Sequence, residues 1–278
     1  MIADDIAAGL RLKEIAGWNQ TAADWERFLN ASPQGCFVAE VDGRVHGTVT
    51  TIVFENRFAW VGMVLVDPEF RGRGIGTALL EKAIEYLDTL KVLAIKLDAT
   101  PQGKPLYEKL GFVSECEIER WTLHRALSLK TTTDDLRAPL LTKLSPEVLE
   151  TDRQVFGADR GSLLNSLHHD APELTISVSS KGVLEGYAFG RRGAFADHLG
   201  PWMSKNADAA HRLLETFLTR SARQTLIVDW MKANKLAGTL LALAGFSYSR
   251  ALTRMYRGTN RFPGRPDLLC AILGPEFG

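Results

Sequence analysis

Neither sign of charge dominates this sequence of 278 residues: Lys+Arg and Asp+Glu each number 33. A balanced chain has no net field with which to gather a polyanion, and no basic run interleaved with aromatics marks a nucleic-acid track. Nucleic acid is therefore not an expected partner. Cysteine is scarce too. Cys36, Cys116 and Cys270 are odd in number, far apart and without metal-ligand spacing. That excludes a disulfide framework, offers no metal site, and predicts reduced, mostly buried thiols. No apolar run approaches the ~20 residues needed to span a bilayer. The amino terminus, MIADDIAAGL, opens on two acids instead of a basic region followed by an apolar stretch. The expectation is a soluble, unprocessed, cytoplasmic protein with no membrane partner.

What is present is apolar surface, 45% of the residues, enough for two modest cores in a chain of this length. Two domains are expected, 1–127 and 128–278, with the polar stretch 126–138 as the candidate linker. In the first, helical patterns cover about 4–16 and 21–29, the second entered through Thr21 as N-cap with Asp24 three residues on. Strand-like runs follow at Cys36–Val41, Val45–Phe54 and Phe58–Val66, and Asp42-Gly43 marks a tight hairpin between the first two. Leu79, Leu80, Ala83, Ile84 and Leu87 recur at helical spacing, predicting an amphipathic helix over 75–89. A buried strand at Val92–Leu97, a short helix from Pro101 to a C-cap at Gly111, and a strand at Phe112–Leu123 complete the half.

The second half repeats the last part of this order. A shift of 134 carries Leu79, Leu80, Ala83 and Ile84 onto Leu213, Leu214, Phe217 and Leu218, and Gly111-Phe112 onto Gly245-Phe246. Two separate landmarks keeping one spacing point to a tandem duplication. The predicted class is α/β (α+β), two similar domains, each a mixed, mostly antiparallel sheet flanked by helices.

The chemistry concentrates in the turn between the third strand and the amphipathic helix, Asp67-Pro68-Glu69-Phe70-Arg71-Gly72-Arg73-Gly74-Ile75-Gly76-Thr77. Free N–H groups at a helix start, the positive end of its dipole, and glycines that let the backbone approach a ligand together favour phosphate. Two arginines add charge-assisted hydrogen bonds. Gly72, Gly74 and Gly76 alternate with single residues, which is neither the G-x-G-x-x-G of dinucleotide folds nor, lacking Gly-Lys-Ser/Thr, a P-loop. A glycine turn needed only for packing is the plain alternative.

Arg71-x-x-Gly74-x-Gly76 resembles the R/Q-x-x-G-x-G/A signature of the GNAT superfamily. Val66-Asp67-Pro68, Leu79-Leu80, Leu97–Pro101 and Leu106-Tyr107-Glu108-Lys109-Leu110-Gly111-Phe112 are similar to its surrounding elements, and the likeness covers about residues 5–125. It implies an acyl-CoA-dependent N-acyltransferase. Leu65 and Val66 would pair with the pantetheine arm, Arg71, Gly72, Arg73, Gly74, Ile75, Gly76 and Thr77 would hold the pyrophosphate, and Thr100 stands where the family often has a cofactor-contacting Asn. Tyr107 falls where the family commonly has a tyrosine beside the cofactor sulfur, and a phenol can protonate a leaving thiolate. It is the candidate general acid; a tyrosine merely closing the helix against the last strand is the alternative. The base is unassigned: Glu40, Glu55 and Asp98 end or border strands and could act through water, and His46 reads as packed.

Residues 128–278 resemble the degenerate second domain of a tandem subfamily, through Phe156–Arg160, Gly186-Tyr187, Arg191 with Gly193, and Gly200-Pro201. The shift of 134 lands Lys205, Asp208, Ala210 and Leu241 at the places of Arg71, Gly74, Gly76 and Tyr107. The turn glycines are gone and an acid faces the phosphates, so one cofactor per chain is expected. The leading expectation is an N-acetyltransferase moving an acetyl group from acetyl-CoA to a primary amine of a small molecule. Trp18, Asn19 and Gln20, in a loop that borders the family's acceptor site, are candidate acceptor contacts. So are Asp159, Arg160, Arg191 and Asp229, which could grip a zwitterion if they face the cleft; solvated surface salt bridges are the plain alternative. Two readings stay open beside it, a non-catalytic acyl-CoA-binding sensor or interaction module and a nucleotide-binding loop. A homodimer is compatible with the sequence.

Overall fold

The structure is a computed structural model and describes residues 1–125 and 143–278. The candidate linker, 126–138, and the expected boundary after residue 127 lie outside the described residues. Two compact units form. Unit 1 comprises Met1–Glu115 with Arg254–Phe262 and Phe277; unit 2 comprises Cys116–Thr253 with Pro263–Glu276 and Gly278.

Unit 1 begins with helices α1 (Ile6–Ile15) and α2 (Ala22–Ala31). The expected cap forms at α2, where Thr21 N–H donates to Asp24 Oδ2 at 2.8 Å. A meander of β1 (Phe37–Val41), β2 (Arg44–Phe54) and β3 (Phe58–Val66) follows, then α3 (Ile75–Thr89), β4 (Ala94–Ala99) and α4 (Lys104–Lys109). Asp42 and Gly43 both take positive φ, +50° and +73°, as the tight β1–β2 turn requires. The strand order is β1-β2-β3-β4-β10, antiparallel through β3 and parallel between β3 and β4. Leu79, Leu80, Ala83, Ile84 and Leu87 lie on the buried stripe of α3 and pack on Val49, Ala59, Val61, Ile95 and Leu97. Each such leucine contributes roughly 1.5–3 kcal/mol of burial, so this contact sets the position of the α3 amino terminus over the sheet.

Unit 2 holds most of β5 (Val113–His124), then α5 (Pro146–Phe156), α6 (Gly161–Asp170), β6 (Thr175–Ser180), β7 (Val183–Arg192), β8 (Asp197–Ser204), α7 (Ala207–Arg220), β9 (Thr225–Met231), α8 (Lys235–Leu243), β10 (Ser247–Gly258) and β11 (Leu269–Ala271). Its strand order is β10-β5-β9-β11-β8-β7-β6. Leu213, Leu214 and Phe217 of α7 are buried on this sheet with Trp202, Val228 and Trp230. The duplicated landmark also repeats in three dimensions. Gly111 and Gly245 are left-handed (φ +84° and +87°), and in each the next Phe N–H reaches back to residue 107 or 241, at 3.1 and 3.0 Å.

The units do not follow the two halves of the chain. Cys116–His124 of β5 belong to unit 2, with Ile118–His124 in antiparallel register with β9, and β10 is divided: Ser247–Thr253 to unit 2, Arg254–Gly258 to unit 1. In unit 1 Met255 is fully buried in the α3 core. Arg254 clamps Asp98 through Nε and Nη2, at 2.9 and 3.0 Å, and lies over the Trp60 ring. Cys36 and Cys270 are buried and Cys116 half-buried, with no disulfide among the described residues, and burial pushes Cys36 up to about 11 and Cys270 to about 12.

Candidate active site

The turn that carries the motif has the shape its residues predict. Gly72 and Gly74 adopt φ +75° and +82°, where side chains are strained; Gly74 is the N-cap of α3. Gly76 is not left-handed. A Cβ there would meet Val66 Cγ2 at 3.6 Å, an ordinary contact. The first helical bond runs from Ala78 N–H to Gly74 C=O at 3.0 Å. The N–H groups of Ile75, Gly76 and Thr77 precede it, and no side chain caps the helix. Among the described residues these donors have no acceptor, and they lie at the positive end of a helix. Arg71 and Arg73 are exposed beside them. Arg71 Nε donates to Val66 C=O at 3.1 Å, which ties the turn to the end of β3, and Arg73 lies over the Phe70 ring.

Upstream, Asp67 sets the entry to the turn. Its carboxylate accepts from Arg11 at 2.9 Å and from Glu69 N–H at 3.3 Å, and it lies 3.3 Å from His46 Nδ1. The Arg11 hydrogen bond, against burial, holds Asp67 below the usual carboxylate range. His46 stacks on Phe70 at 3.6 Å, so it is packed, as expected.

Beside the turn, β3 and β4 part. They pair in parallel only at Phe58–Ala94, Ala59–Ile95 and Trp60–Lys96. Beyond Trp60 the β4-facing edge of β3, including Leu65 and Val66, has no strand partner among the described residues. A bulge accompanies the parting. The β2–β3 register shifts between Thr48 and Thr50, and Met63 takes φ +50°. Buried Thr48 donates from Oγ1 to Met63 C=O at 2.8 Å and pins the bulge. An exposed row of backbone donors and acceptors beside a helix amino terminus can hold an extended amide-bearing chain ending in phosphates.

Tyr107, on α4, packs partly buried against the α3 core, edge-on to Phe112 at 6.0 Å. Burial pushes its phenol up to about 12, so it stays protonated at neutral pH. Gly103 makes room for the ring: a Cβ there would come within 3.0 Å of Tyr107 Cε2. Thr100 Oγ1 accepts from Gly103 N–H at 3.2 Å, so this hydroxyl helps shape the approach to α4.

With this geometry in place, family likeness can be set against it. Residues 10–112 match the Acetyltransferase (GNAT) family, and residues 148–271 match the Acetyltransferase (GNAT) domain. The chain belongs to the GNAT family. It is a tandem GNAT acyl-CoA-dependent N-acyltransferase. Among relatives, it is 26% identical to the holothin acyltransferase of Pseudoalteromonas sp. (strain SANK 73390), over 94% of this chain and 87% of the relative. It is 27% identical to the uncharacterized N-acetyltransferase YitH of Bacillus subtilis (strain 168), over 76% of this chain and 74% of that one. The fold matches a solved Pyrococcus horikoshii protein with a TM-score of 0.84 at 24% identity, covering 100% of this chain and 94% of the other. It also matches a tandem GNAT protein from the clavulanic acid biosynthesis pathway, with a TM-score of 0.63 at 14% identity, over 93% and 97%.

The second GNAT unit has a different helix start. The α7 N-cap is Asn206, whose side chain accepts from Ala209 N–H at 2.9 Å, Asp208 lies in the first turn, and Lys205 Nζ donates to Leu184 C=O at 2.6 Å. Leu241 is fully buried in the core. Strands β8 and β9 also part after three parallel pairs, ending at Leu199–Val228. Here the gap is filled by β11: Ala271 pairs with Trp202 on one side and Trp230 on the other. A Cβ on Gly200 would lie 1.8 Å from Ile272 C=O.

The acceptor candidates of the sequence separate into two groups. Trp18 is half-buried in the α1–α2 loop, while Asn19 and Gln20 are buried, and Gln20 Oε1 has no hydrogen-bond donor among the described residues. In unit 2, Asp159 Oδ1 accepts from Gly161 N–H at 2.7 Å. Arg160 is buried, bidentate on Asp152 at 2.9 Å, and donates to Gly278 C=O at 2.7 Å. Asp229 is bidentate with Arg120 at 2.8 and 2.7 Å, and Arg191 lies against Glu276. Of the base candidates, Asp98 has both oxygens engaged by Arg254. Thr48, Met63, Arg11, Arg120 and Glu276 escape motif reading, because no spacing rule marks a bulge pin or a charge pair made across strands. No group of three or more metal-ligating side chains occurs among the described residues, and no described helix is long and apolar enough to cross a membrane.

Proposed function

We propose that the protein transfers the acetyl group of acetyl-CoA to a primary amine of a small molecule, using the site of unit 1. The observation that carries this is the left-handed Gly72/Gly74 turn, with free α3 N–H groups next to the unpaired edge of β3. Acetyl-CoA supplies an activated acyl group on a thiol leaving group. Arg71, Gly72, Arg73, Gly74, Ile75, Gly76 and Thr77 hold its pyrophosphate through backbone N–H groups and two guanidiniums. Leu65 and Val66 bind the pantetheine arm as an added strand, and Thr100 borders it. Donors on the bulged stretch of β3 stabilise negative charge that develops on the acyl oxygen.

Tyr107 is the general acid. Its protonated phenol delivers a proton to the departing sulfur as the new C–N bond replaces the C–S bond. No carboxylate on β3 serves as base, so the amine enters neutral and releases its proton to water. Trp18, Asn19 and Gln20 border the acceptor, and the unpartnered Gln20 Oε1 supports a donor group there. With β11 in the gap between β8 and β9, the chain uses one acetyl-CoA. Calorimetry with CoA and thiol release from acetyl-CoA across an amine panel test the proposal. It predicts one site per chain and amine-dependent release; CoA binding with no amine-dependent release would overturn it in favour of a sensor.

A further inference from the structure

Leu226, Val228 and Trp230 of β9 join the core with α7 and α8, so by alternation Asp229 faces the other side of the unit 2 sheet. There unit 2 gathers Arg120, Arg191, His198, Asp229 and Glu276, all buried, and Arg250, half-buried. Arg120 stands opposite Asp229 in the β5–β9 register and grips it with two hydrogen bonds. His198 Nδ1 lies 3.3 Å from Arg191 Nη2, which can only donate. The Nε2 atom therefore carries the ring proton, 3.0 Å from Asp229 Oδ2. Burial holds His198 below its ordinary value, in the neutral form. Arg191 Nη2 sits 2.5 Å from Glu276 Oε1.

Two features of this group are unmatched by the protein itself. Three guanidiniums face two carboxylates, and Arg250, within electrostatic reach of Arg120, Asp229 and Glu276, forms no ion pair among the described residues; its buried Nε has no acceptor. Glu276 is 3% exposed, and apart from its ion pair with Arg191 neither carboxylate oxygen receives a hydrogen bond from the described residues. A carboxylate can accept about four, and burying one with most of that capacity unfilled is costly. The chain has built close to it nonetheless. At Gly274 a Cβ would lie 3.0 Å from Glu276 Oε2 and 3.1 Å from Arg191 Nη2.

We propose that this face of unit 2 binds a small α-amino-acid-like zwitterion, whose carboxylate pairs with Arg250 and whose ammonium donates to Glu276. The two vacant valences are opposite in kind, an acceptor needed by Arg250 and donors needed by Glu276. A zwitterion supplies both and balances the third guanidinium. A simple anion such as phosphate would satisfy Arg250 but give Glu276 no donor beyond Arg191 and add a like charge near it. Arg250, the half-exposed member, marks the entrance. The inference does not depend on acetyl transfer in unit 1, and the zwitterion can be substrate, product or effector.

Calorimetry on the full chain with the common L-α-amino acids, and with propionate, ethylamine and inorganic phosphate as single-charge probes, tests this. The expected result is saturable binding of at least one amino acid, with propionate, ethylamine and phosphate at least about tenfold weaker. Arg250→Gln and, separately, Glu276→Gln should each weaken that binding about tenfold or more while CoA affinity is unchanged. Arg250 is half-exposed and its variant is expected to fold; circular dichroism checks this, and unchanged CoA binding reports on unit 1 separately. No saturable binding up to about 10 mM, phosphate or propionate binding as tightly as the amino acid, or wild-type affinity in folded Arg250→Gln would each overturn the proposal.

Discussion

Gly74 combines two demands, a left-handed backbone and open space in front of free N–H groups. Gly74→Asp should weaken CoA binding about 100-fold or more, since it adds strain and puts a negative charge at the proposed pyrophosphate site. Gly76→Ala, at a position with ordinary φ and room for a methyl group, should keep affinity within a few-fold; calorimetry reads both. Tyr107→Phe should lower turnover at least about tenfold with CoA affinity nearly unchanged. Burial raises this phenol from 10.0 to about 12. Its folded form therefore binds the proton more tightly than the unfolded chain does, and its contribution to stability is complete below pH 10 and lost as pH rises toward 12. Alkaline melts of wild type and Tyr107→Phe should diverge in that window. At this scale the sequence was highly legible in unit 1, because Gly72, Gly74 and Gly111 are needed for backbone reasons that any copy of the turn would share. It was less so for Arg191 and Asp229, whose type is visible but whose partners, Glu276 and Arg120, are chosen by strand pairing.

The parting of β3 from β4 is an element-level device that depends on the Met63 bulge, and the bulge on one hydroxyl. Thr48→Val keeps the shape but removes the bond to Met63 C=O, leaving a buried carbonyl unpaired at a cost of about 1–3 kcal/mol. Both thermal stability and KM for acetyl-CoA should worsen. A Tm loss with unchanged KM would mean that the bulge does not shape the cofactor edge. Asp67 anchors the turn that follows. Its acidity is raised by Arg11, so the stability it adds is present above the ordinary carboxylate range and lost as pH falls through its lowered value. Arg11→Met should move the acid edge of CoA binding toward higher pH. Helices and strands themselves were well predicted, α3 at both ends and β3 at both ends, since period and capping are local. A bulge is a mismatch between two strands, and nothing within either strand alone announces it.

At the scale of the molecule, unit 1 is completed by Arg254–Phe262, a segment distant in sequence from the rest of it. Arg254 neutralises Asp98 and Met255 fills the α3 core, so a fragment of residues 1–125 would lose the Arg254 clamp and the Met255 packing and leave a strand edge bare. It should aggregate or lack a cooperative thermal transition; a fragment that folds cooperatively and binds CoA like the full chain would contradict this. The repeat with its constant spacing made two similar domains legible, but a duplicated sequence reads the same whether each copy keeps or exchanges its last strand. The choice lies in side chains such as Arg120 and Arg254, whose partners sit far away in sequence. The exchange also has a meaning in time. Residues 1–115 leave the ribosome early, whereas Arg254–Phe262 follow much later. At about 5–20 residues per second, nascent unit 1 waits on the order of ten seconds with its β4 edge uncovered. That interval is written into the order in which its parts are made, and it leaves unit 1 open to misassembly until β10 arrives.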